Sequence, residues 1–261
     1  MDGGLTRSGQ EGMVKSGARV LDVFDFLSHV QRPAREVEIR NALALPKSST
    51  NDLLKTMVGR GYLAFDVLDR TYAPSYRLAR FGKMVDSLDA DGHGLSDLIA
   101  GIRSRVGEAV LLSEPLEARM QVVAIDTDDE DARRNFCAGK LLDIVTSASG
   151  RAYLMTRSER DIRWIARRNA RFRPQEKTPQ AIGNIVSMVR QFAELRYASS
   201  MQSIQKGPSL TVAMPLPPRP NRASLMLAVG GPIERMEPRI DAVTQCMRSA
   251  IAKHFGTDAA A

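Results

Sequence analysis

Apolar and polar positions along the chain recur with two different periods, and each change of period marks an element. In "GARVLDVFDFL", Gly17–Leu27, the apolar positions Val20, Leu21, Phe24 and Leu27 have the spacing of an amphipathic helix. "HVQRP" breaks that pattern at Pro33. Arg35–Leu43 predicts a short second helix that buries Val37 or Ile39 together with Leu43. "ALPKS" reads as a tight turn, with Ser48 at the N-cap position of a third helix. That helix is predicted over Ser49–Gly59. Thr50, Leu53, Leu54, Met57 and Val58 share one of its faces, and Ser48, Asn51, Asp52 and Lys55 share the other. Gly59-Arg60-Gly61 supplies its stop. "YLAFDVLDRTYAP" then alternates with period two around a polar turn at Leu68–Arg70, as a β-hairpin does. Three short helices and a hairpin, in that order, predict a winged helix-turn-helix.

The next stretch, "SYRLARFGKMVDSLDADGHGLSDLIAGIRSRV", is helical in period but interrupted by Gly92 and Gly94. It predicts a linker helix over 84–100. The remainder reads as α+β. Strands are predicted over Glu108–Leu112, Met120–Ile125, Thr211–Leu216 and Ser224–Val229, and helices over Ser149–Met155, Glu159–Asn169, Thr178–Arg196 and Arg235–Phe255. "PLPPRPNR" is a proline-stiffened hairpin loop between the last two strands. The organisation is therefore an arm over 1–16, a winged helix over 17–83, a linker over 84–100 and a second domain over 101–261.

Composition narrows the function classes. The chain has 261 residues, 43% of them hydrophobic, which is enough for packed cores. No run approaches the roughly eighteen apolar residues of a membrane span. The opening "MDGGLTRSGQEGMVKSG" has no apolar stretch, so it reads as a flexible arm and not as a secretory signal. Cys137 and Cys246 lack metal-ligand spacing and read as reduced thiols of a cytoplasmic protein. The formal charge of +7 favours a polyanionic partner without naming one. Over residues 1–85 there are 13 Lys/Arg and 9 Asp/Glu, a net of +4, so the smaller domain is the more basic per residue.

Several segments resemble the IclR family of bacterial transcriptional regulators. The likeness begins at "ARVLDVFDFL" and is sharpest over "LPKSSTNDLLKTMVGRGYL". That stretch shows the family's Pro-Lys-Ser opening, paired leucines (Leu53, Leu54) and Gly-Tyr-Leu exit. It continues through "RTYAPSYRLARFG", where Tyr76-Arg77-Leu78 matches a wing-strand pattern. "IVTSASGRAYLM", "VAMPL" and "LAVGGPIERM" resemble a small-residue segment and the last two core strands with the turn into the final helix. The resemblance implies a winged helix that binds operator DNA, joined by a helix to a GAF-like effector domain with an antiparallel sheet and flanking helices. It also implies a homodimer or dimer of dimers that responds to a small metabolite, often a carboxylate or aromatic acid, and represses or activates genes. Many relatives carry Arg where this chain has Asp52.

The second helix of a helix-turn-helix lies in the major groove with its N-terminal residues nearest the bases. Ser48, Ser49, Asn51, Asp52 and Lys55 then form the contact face. Asn51 suits adenine, the serines suit a phosphate or a base edge, and Lys47 and Lys55 suit phosphates. Arg70 at the hairpin tip suits a minor groove or the backbone. Two readings of Asp52 stand: acceptance of a hydrogen bond from cytosine N4, or pairing with Lys55 or Arg32 away from DNA. The alternative for the whole domain is a winged helix that binds protein or RNA, without an effector.

In the second domain the resemblance points to Thr146, Ser147, Ser149 and Gly150 as a turn that holds a carboxylate, with Thr211 and Ala213 on a strand facing the same pocket. Core packing plus an N-cap by Ser147 or Ser149 is the competing reading. Val145 in that segment argues for an apolar pocket or a lost ligand. No enzyme is expected, and no metal or cofactor: His29, His93 and His254 have no partner at ligand spacing, and no G-x-S-x-G elbow occurs. "DTDDEDARR", Asp126–Arg134, reads as a solvated loop. The seven arginines between Arg157 and Arg173 read as one solvated helix face, with a second DNA contact or an acidic-partner surface as the alternative, and Trp164 as a packing residue or a subunit contact.

Overall fold

The computed structural model describes residues 14–87, 94–171, 178–204, 207–219 and 223–256. Most of the expected arm, and His93 and Arg173, lie outside them. The chain divides into two units, 1–92 and 93–261.

In the first unit, α1 (Lys15–Val30) extends past the predicted end and carries His29 in its last turn. Gln31 closes it in the left-handed conformation, φ 54°. A two-residue strand, β1 (Ala34–Arg35), leads into α2 (Glu36–Leu43), whose Ile39 is buried while Val37 is exposed. The Arg35 N–H donates to Glu38 Oε2 at 2.9 Å, tying down the first turn of α2.

The third helix, α3 (Lys47–Gly59), starts two residues earlier than its sequence predicts, with Pro46 and not Ser48 as N-cap. Thr50 explains the difference. It is buried, and both its N–H and its hydroxyl donate to the Pro46 carbonyl at 3.0 Å, so Pro46 carries the first helical acceptor. At the other end the Gly61 and Tyr62 N–H groups donate back to Val58 and Met57 at 2.8 and 2.9 Å. Gly61, at φ 76°, permits that reversal.

Strands β2 (Leu63–Asp66) and β3 (Thr71–Pro74) form the wing, and β1 pairs with β3 to complete an antiparallel sheet in the order β1-β3-β2. Val23, Leu27, Ala34, Ile39, Leu54, Met57 and Leu63 make the core. Tyr76-Arg77-Leu78 does not extend the wing. It opens α4 (Tyr76–Ser87).

The predicted linker, 84–100, covers the end of α4, residues outside the described set, and the first half of α5 (Leu95–Val106). The apolar side of α5, Leu98, Ile99, Ile102 and Val106, belongs to the core of the second unit. That unit is built on β4 (Ala109–Leu116), β5 (Arg119–Asp126), β6 (Leu141–Asp143), β7 (Ala198–Ile204), β8 (Gly207–Pro215) and β9 (Met226–Pro232). These strands form one antiparallel sheet in the order β6-β5-β4-β9-β8-β7.

Both faces of this sheet are covered. Val110 and Leu112, Leu210, Val212 and Met214, and Leu227 and Val229 face α5 and α11 (Ile240–Phe255). Ala109, Leu111, Ala213, Met226 and Ala228 face α7 (Ala148–Met155), α8 (Glu159–Asn169) and α9 (Pro179–Leu195). The period-two alternation of the sequence thus feeds two cores from one sheet.

Three further features differ from the sequence reading. The edge strands β6 and β7 are additional. The stretch Asp126–Arg134 is not a plain loop, because Asp129 accepts from the Asp131 and Ala132 N–H groups and caps α6 (Glu130–Asn135). The final helix is divided into α10 (Ile233–Met236), a 3-10 turn over Glu237–Arg239 and α11, with Pro238 at the break.

Candidate nucleic-acid interface and ligand cavity

The face of α3 turned away from the core carries Lys47, Ser48, Asp52 and Lys55, all exposed, with Ser49 and Asn51 half-buried beside them. Arg70, also exposed, sits at the end of the wing turn. That turn is held by Asp66, whose Oδ1 accepts from the Leu68 and Asp69 N–H groups at 2.8 and 3.0 Å. Arg77 braces the other side. It donates to the Arg60 carbonyl at 2.8 Å and lies 4.7 Å from the centre of the Tyr62 ring, so α4 is fastened to the end of α3.

The pairing reading of Asp52 fails on this geometry. Arg32 is engaged by Glu38 at 2.6 Å, and its hydrogen bond, followed by that of the Arg35 N–H, holds the Glu38 carboxyl below its usual range. Among the described residues, neither Lys55 nor any other cation pairs with Asp52.

A cavity of about 140 Å³ lies in the second unit, between the sheet, the start of α7 and the segment that carries α6. Its hydroxyl wall is built from two rungs of adjacent strands: Ser200 stands opposite Thr211 and Gln202 opposite Ser209. Ser147 and Ser149 close the wall from α7. Ser147 is the N-cap, its hydroxyl accepting from the Gly150 N–H at 3.1 Å and donating to the Asp143 carbonyl at 2.6 Å. The Ala148 N–H donates to Ser200 Oγ at 3.0 Å, joining helix to strand. Ser149 is buried, and its hydroxyl has no partner among the described residues. The opposite wall is apolar, with Leu111, Ala132, Phe136, Leu142 and Ala228.

Charged groups rim the cavity in pairs. Arg235 donates through Nε and Nη2 to the two oxygens of Glu108 at 2.7 and 2.9 Å, and this raises the Arg235 pKa further. Arg103 pairs with Asp126 at 3.5 Å and with Asp128. Glycines make the fit possible: a Cβ on Gly230 would stand 2.7 Å from Thr211 Oγ1, and one on Gly231 closer than 3.0 Å to the Glu108 carboxylate.

The structure sorts the expected pocket residues. Ser147, Ser149 and Thr211 line the cavity, whereas Thr146, Gly150 and Ala213 do not. The Thr146 hydroxyl donates to Asp143 Oδ1 at 3.1 Å, Ala213 is core, and Gly150 lets α7 approach the Ile144 backbone. Val145 is buried in the core beside the cavity, so it does not make the pocket apolar. Ser200 and Gln202 on β7 and Ser209 on β8 are the lining residues that sequence reasoning missed. Their signal is the alternation of polar positions Ser200 and Gln202, and Ser209 and Thr211, with buried Leu210 and Val212 interleaved.

Elsewhere, Ile162, Ile165 and Ala166 on α8 are buried, while Arg163, Arg168 and Arg190 of α9 pair with Glu159 and Glu117, as a solvated face does. Trp164 is not a packing residue: it is 58% exposed, with Arg168 5.6 Å from its ring centre. Among the described residues no group of His, Cys, Asp and Glu is placed to hold a metal, and no helix is long and apolar enough to cross a membrane.

Residues 16–67 match the family model of the IclR helix-turn-helix domain. No curated protein matches the chain. Solved structures similar to it include an IclR transcriptional regulator from Alicyclobacillus acidocaldarius, with TM-score 0.65 and 22% identity over 93% of this chain and 98% of that one. An IclR homolog from Microbacterium hydrocarbonoxydans complexed with 4-hydroxybenzoate gives 0.63 and 15% over 92% and 98%. The IclR of Thermotoga maritima gives 0.58 and 16% over 92% and 98%. Residues 16–67 thus carry the helix-turn-helix domain of the IclR family, and the chain as a whole shares the fold of solved IclR regulators.

Proposed function

We propose that this chain binds a specific operator in duplex DNA and that a small metabolite, taken into the cavity of the second unit, alters that binding. The observation that carries the first half is the exposed face of α3, with Lys47, Ser48 and Lys55 free of internal partners among the described residues and Asn51 beside them. Support for the second half is the cavity itself. A carboxylate fits at the start of α7, where the Ser149 hydroxyl and the helix N-terminus meet, and an aromatic or aliphatic body fits the apolar wall. The bound 4-hydroxybenzoate of the Microbacterium protein is a ligand of that chemistry. A homodimer is the expected working form, consistent with the 64% exposure of Leu21 on α1, and light scattering measures it.

Fluorescence anisotropy with the DNA upstream of the chain's own coding sequence, at several salt concentrations, tests the reading. Binding that never exceeds that of a scrambled duplex favours the protein- or RNA-binding winged helix instead. A thermal-shift screen with carboxylates and aromatic acids tests the cavity.

Two substitutions separate the contact types. Asn51→Ala weakens the operator by about 1–3 kcal/mol and leaves random duplexes unchanged, because it removes a base contact. Lys55→Ala weakens all sequences alike and lowers the slope of log K against log salt by about one phosphate contact. Operator titrations of both variants, identical to the parent, would remove α3 from the groove.

A further inference from the structure

One carboxylate on the exposed face of α3, that of Asp52, has no partner among the described residues. We propose that Asp52 reads a base, accepting a hydrogen bond from the exocyclic amine of a cytosine in the major groove, so that the operator carries a C·G pair at one fixed position. The inference rests on the DNA-binding reading above.

Of the other acidic side chains around α3 and the wing, Glu38, Glu36 and Asp66 have partners, while Asp69, exposed in the wing turn and off α3, has none among the described residues. Glu38 holds Arg32 and the Arg35 N–H, Glu36 lies 3.9 Å from Arg40, and Asp66 fixes the wing turn. The Asp52 side chain pairs with nothing and caps nothing among the described residues; its main-chain carbonyl accepts from the Thr56 hydroxyl at 2.7 Å. It stands in the second turn of α3, past the first-turn N–H groups that favour an acid. Aspartate is also a weak helix former and is repelled by phosphates. Stability and general DNA affinity both disfavour it at this position.

Base chemistry selects its partner. A carboxylate only accepts. In the major groove, guanine shows two acceptors and thymine one, while the adenine amine lies beside the N7 acceptor. The cytosine amine is a donor on a pyrimidine edge without that neighbour, so it is the clean match. Ser48 and Lys55, four residues before and three after, share the face of Asp52 and would bracket the same groove.

Selection of binding sites from a random duplex library, with the full chain and with Asp52→Ala and Asp52→Asn, tests this directly. The parent should enrich one invariant cytosine, and replacing that C·G pair should weaken binding by about tenfold. In Asp52→Ala the discrimination at that position should vanish, every other position of the site should be retained, and affinity for random duplexes should rise as a repulsive charge is removed. Asp52→Asn should move the preference toward adenine. The same preference in all three proteins overturns the inference and leaves the DNA-binding reading intact. Loss of preference at every position overturns it as well, since Asp52 would then hold the helix and not read a base. A parent that selects no sequence overturns both.

Discussion

Gly150→Ala is expected to destabilise the second unit by about 3 kcal/mol, although alanine is the better helix former. A Cβ at this position would lie closer than 3.0 Å to the Ile144 carbonyl, its carbon and its Cα, all of them backbone atoms that cannot rotate away. The start of α7 cannot retreat either. Its cap bonds to Asp143, the Ala148 N–H to Ser200, and the Arg151 guanidinium to the Val145 and Ser199 carbonyls at 3.0 and 2.7 Å. Arg151 is sunk deeply enough that desolvation lowers its pKa, so its bonds are made in a place water does not easily replace.

Relief of the clash must therefore break some of these bonds, each worth about 1 kcal/mol, on top of the packing strain. For a unit of this size, thermal unfolding should fall by roughly 6–12 °C. Gly183→Ala is the control. Gly183 lies inside α9 with nothing within 4 Å of a new Cβ, so the same change there should be neutral or stabilise by up to about 1 kcal/mol. Calorimetric melts of the two variants that moved together would show that the contact with Ile144 is not what fixes glycine at 150.

How much is legible in the sequence depends on the reach of each signal. The exposed face of α3 is readable because it is one helix, and a 3.6-residue period needs no partner to be interpreted. The wing is readable for the same reason, its alternation and turn lying within thirteen residues from Tyr62 to Pro74. The start of α3 is misplaced because Pro46 serves as cap through a buried Thr50, a contact that polar-residue capping rules do not anticipate.

The cavity is the opposite case. It draws on α5, both flanks of the sheet, α6 and α7, and the hydrophobic alternation of β8 looks the same whether its other face meets core or ligand. Ser200 becomes meaningful only once β7 is known to pair with β8, and β7, an edge strand poor in apolar residues, leaves little trace of its own. Gly150 is legible as a small residue and not as a reason: the segment suggests a ligand turn, while the space it saves is taken by the protein's own backbone.

The second large effect is a coupling. Gly231→Ala alone should cost about 2–3 kcal/mol, but in a Glu108→Ala background it should cost less than about 0.5 kcal/mol. Glu108 is buried at the edge of the cavity, and both of its oxygens are held by the Arg235 fork. A methyl group on Gly231 would overlap the Glu108 carboxylate, so the acid must swing away, losing the fork while still shielded from water. The cost stays below that of a fully enclosed pair because the Arg235 side chain is 58% exposed and can find water when released. Removing Glu108 first abolishes the clash and leaves behind only that exposed cation. The double variant should therefore unfold with the stability of Glu108→Ala alone, giving a coupling energy of about 2 kcal/mol in a denaturant-based mutant cycle. Costs that add to within about 0.5 kcal/mol would mean that Gly231 is glycine for a reason other than Glu108. A coupled result would make the pair of glycines at the end of β9 the device that admits a buried acid, and its arginine, to the rim of the cavity.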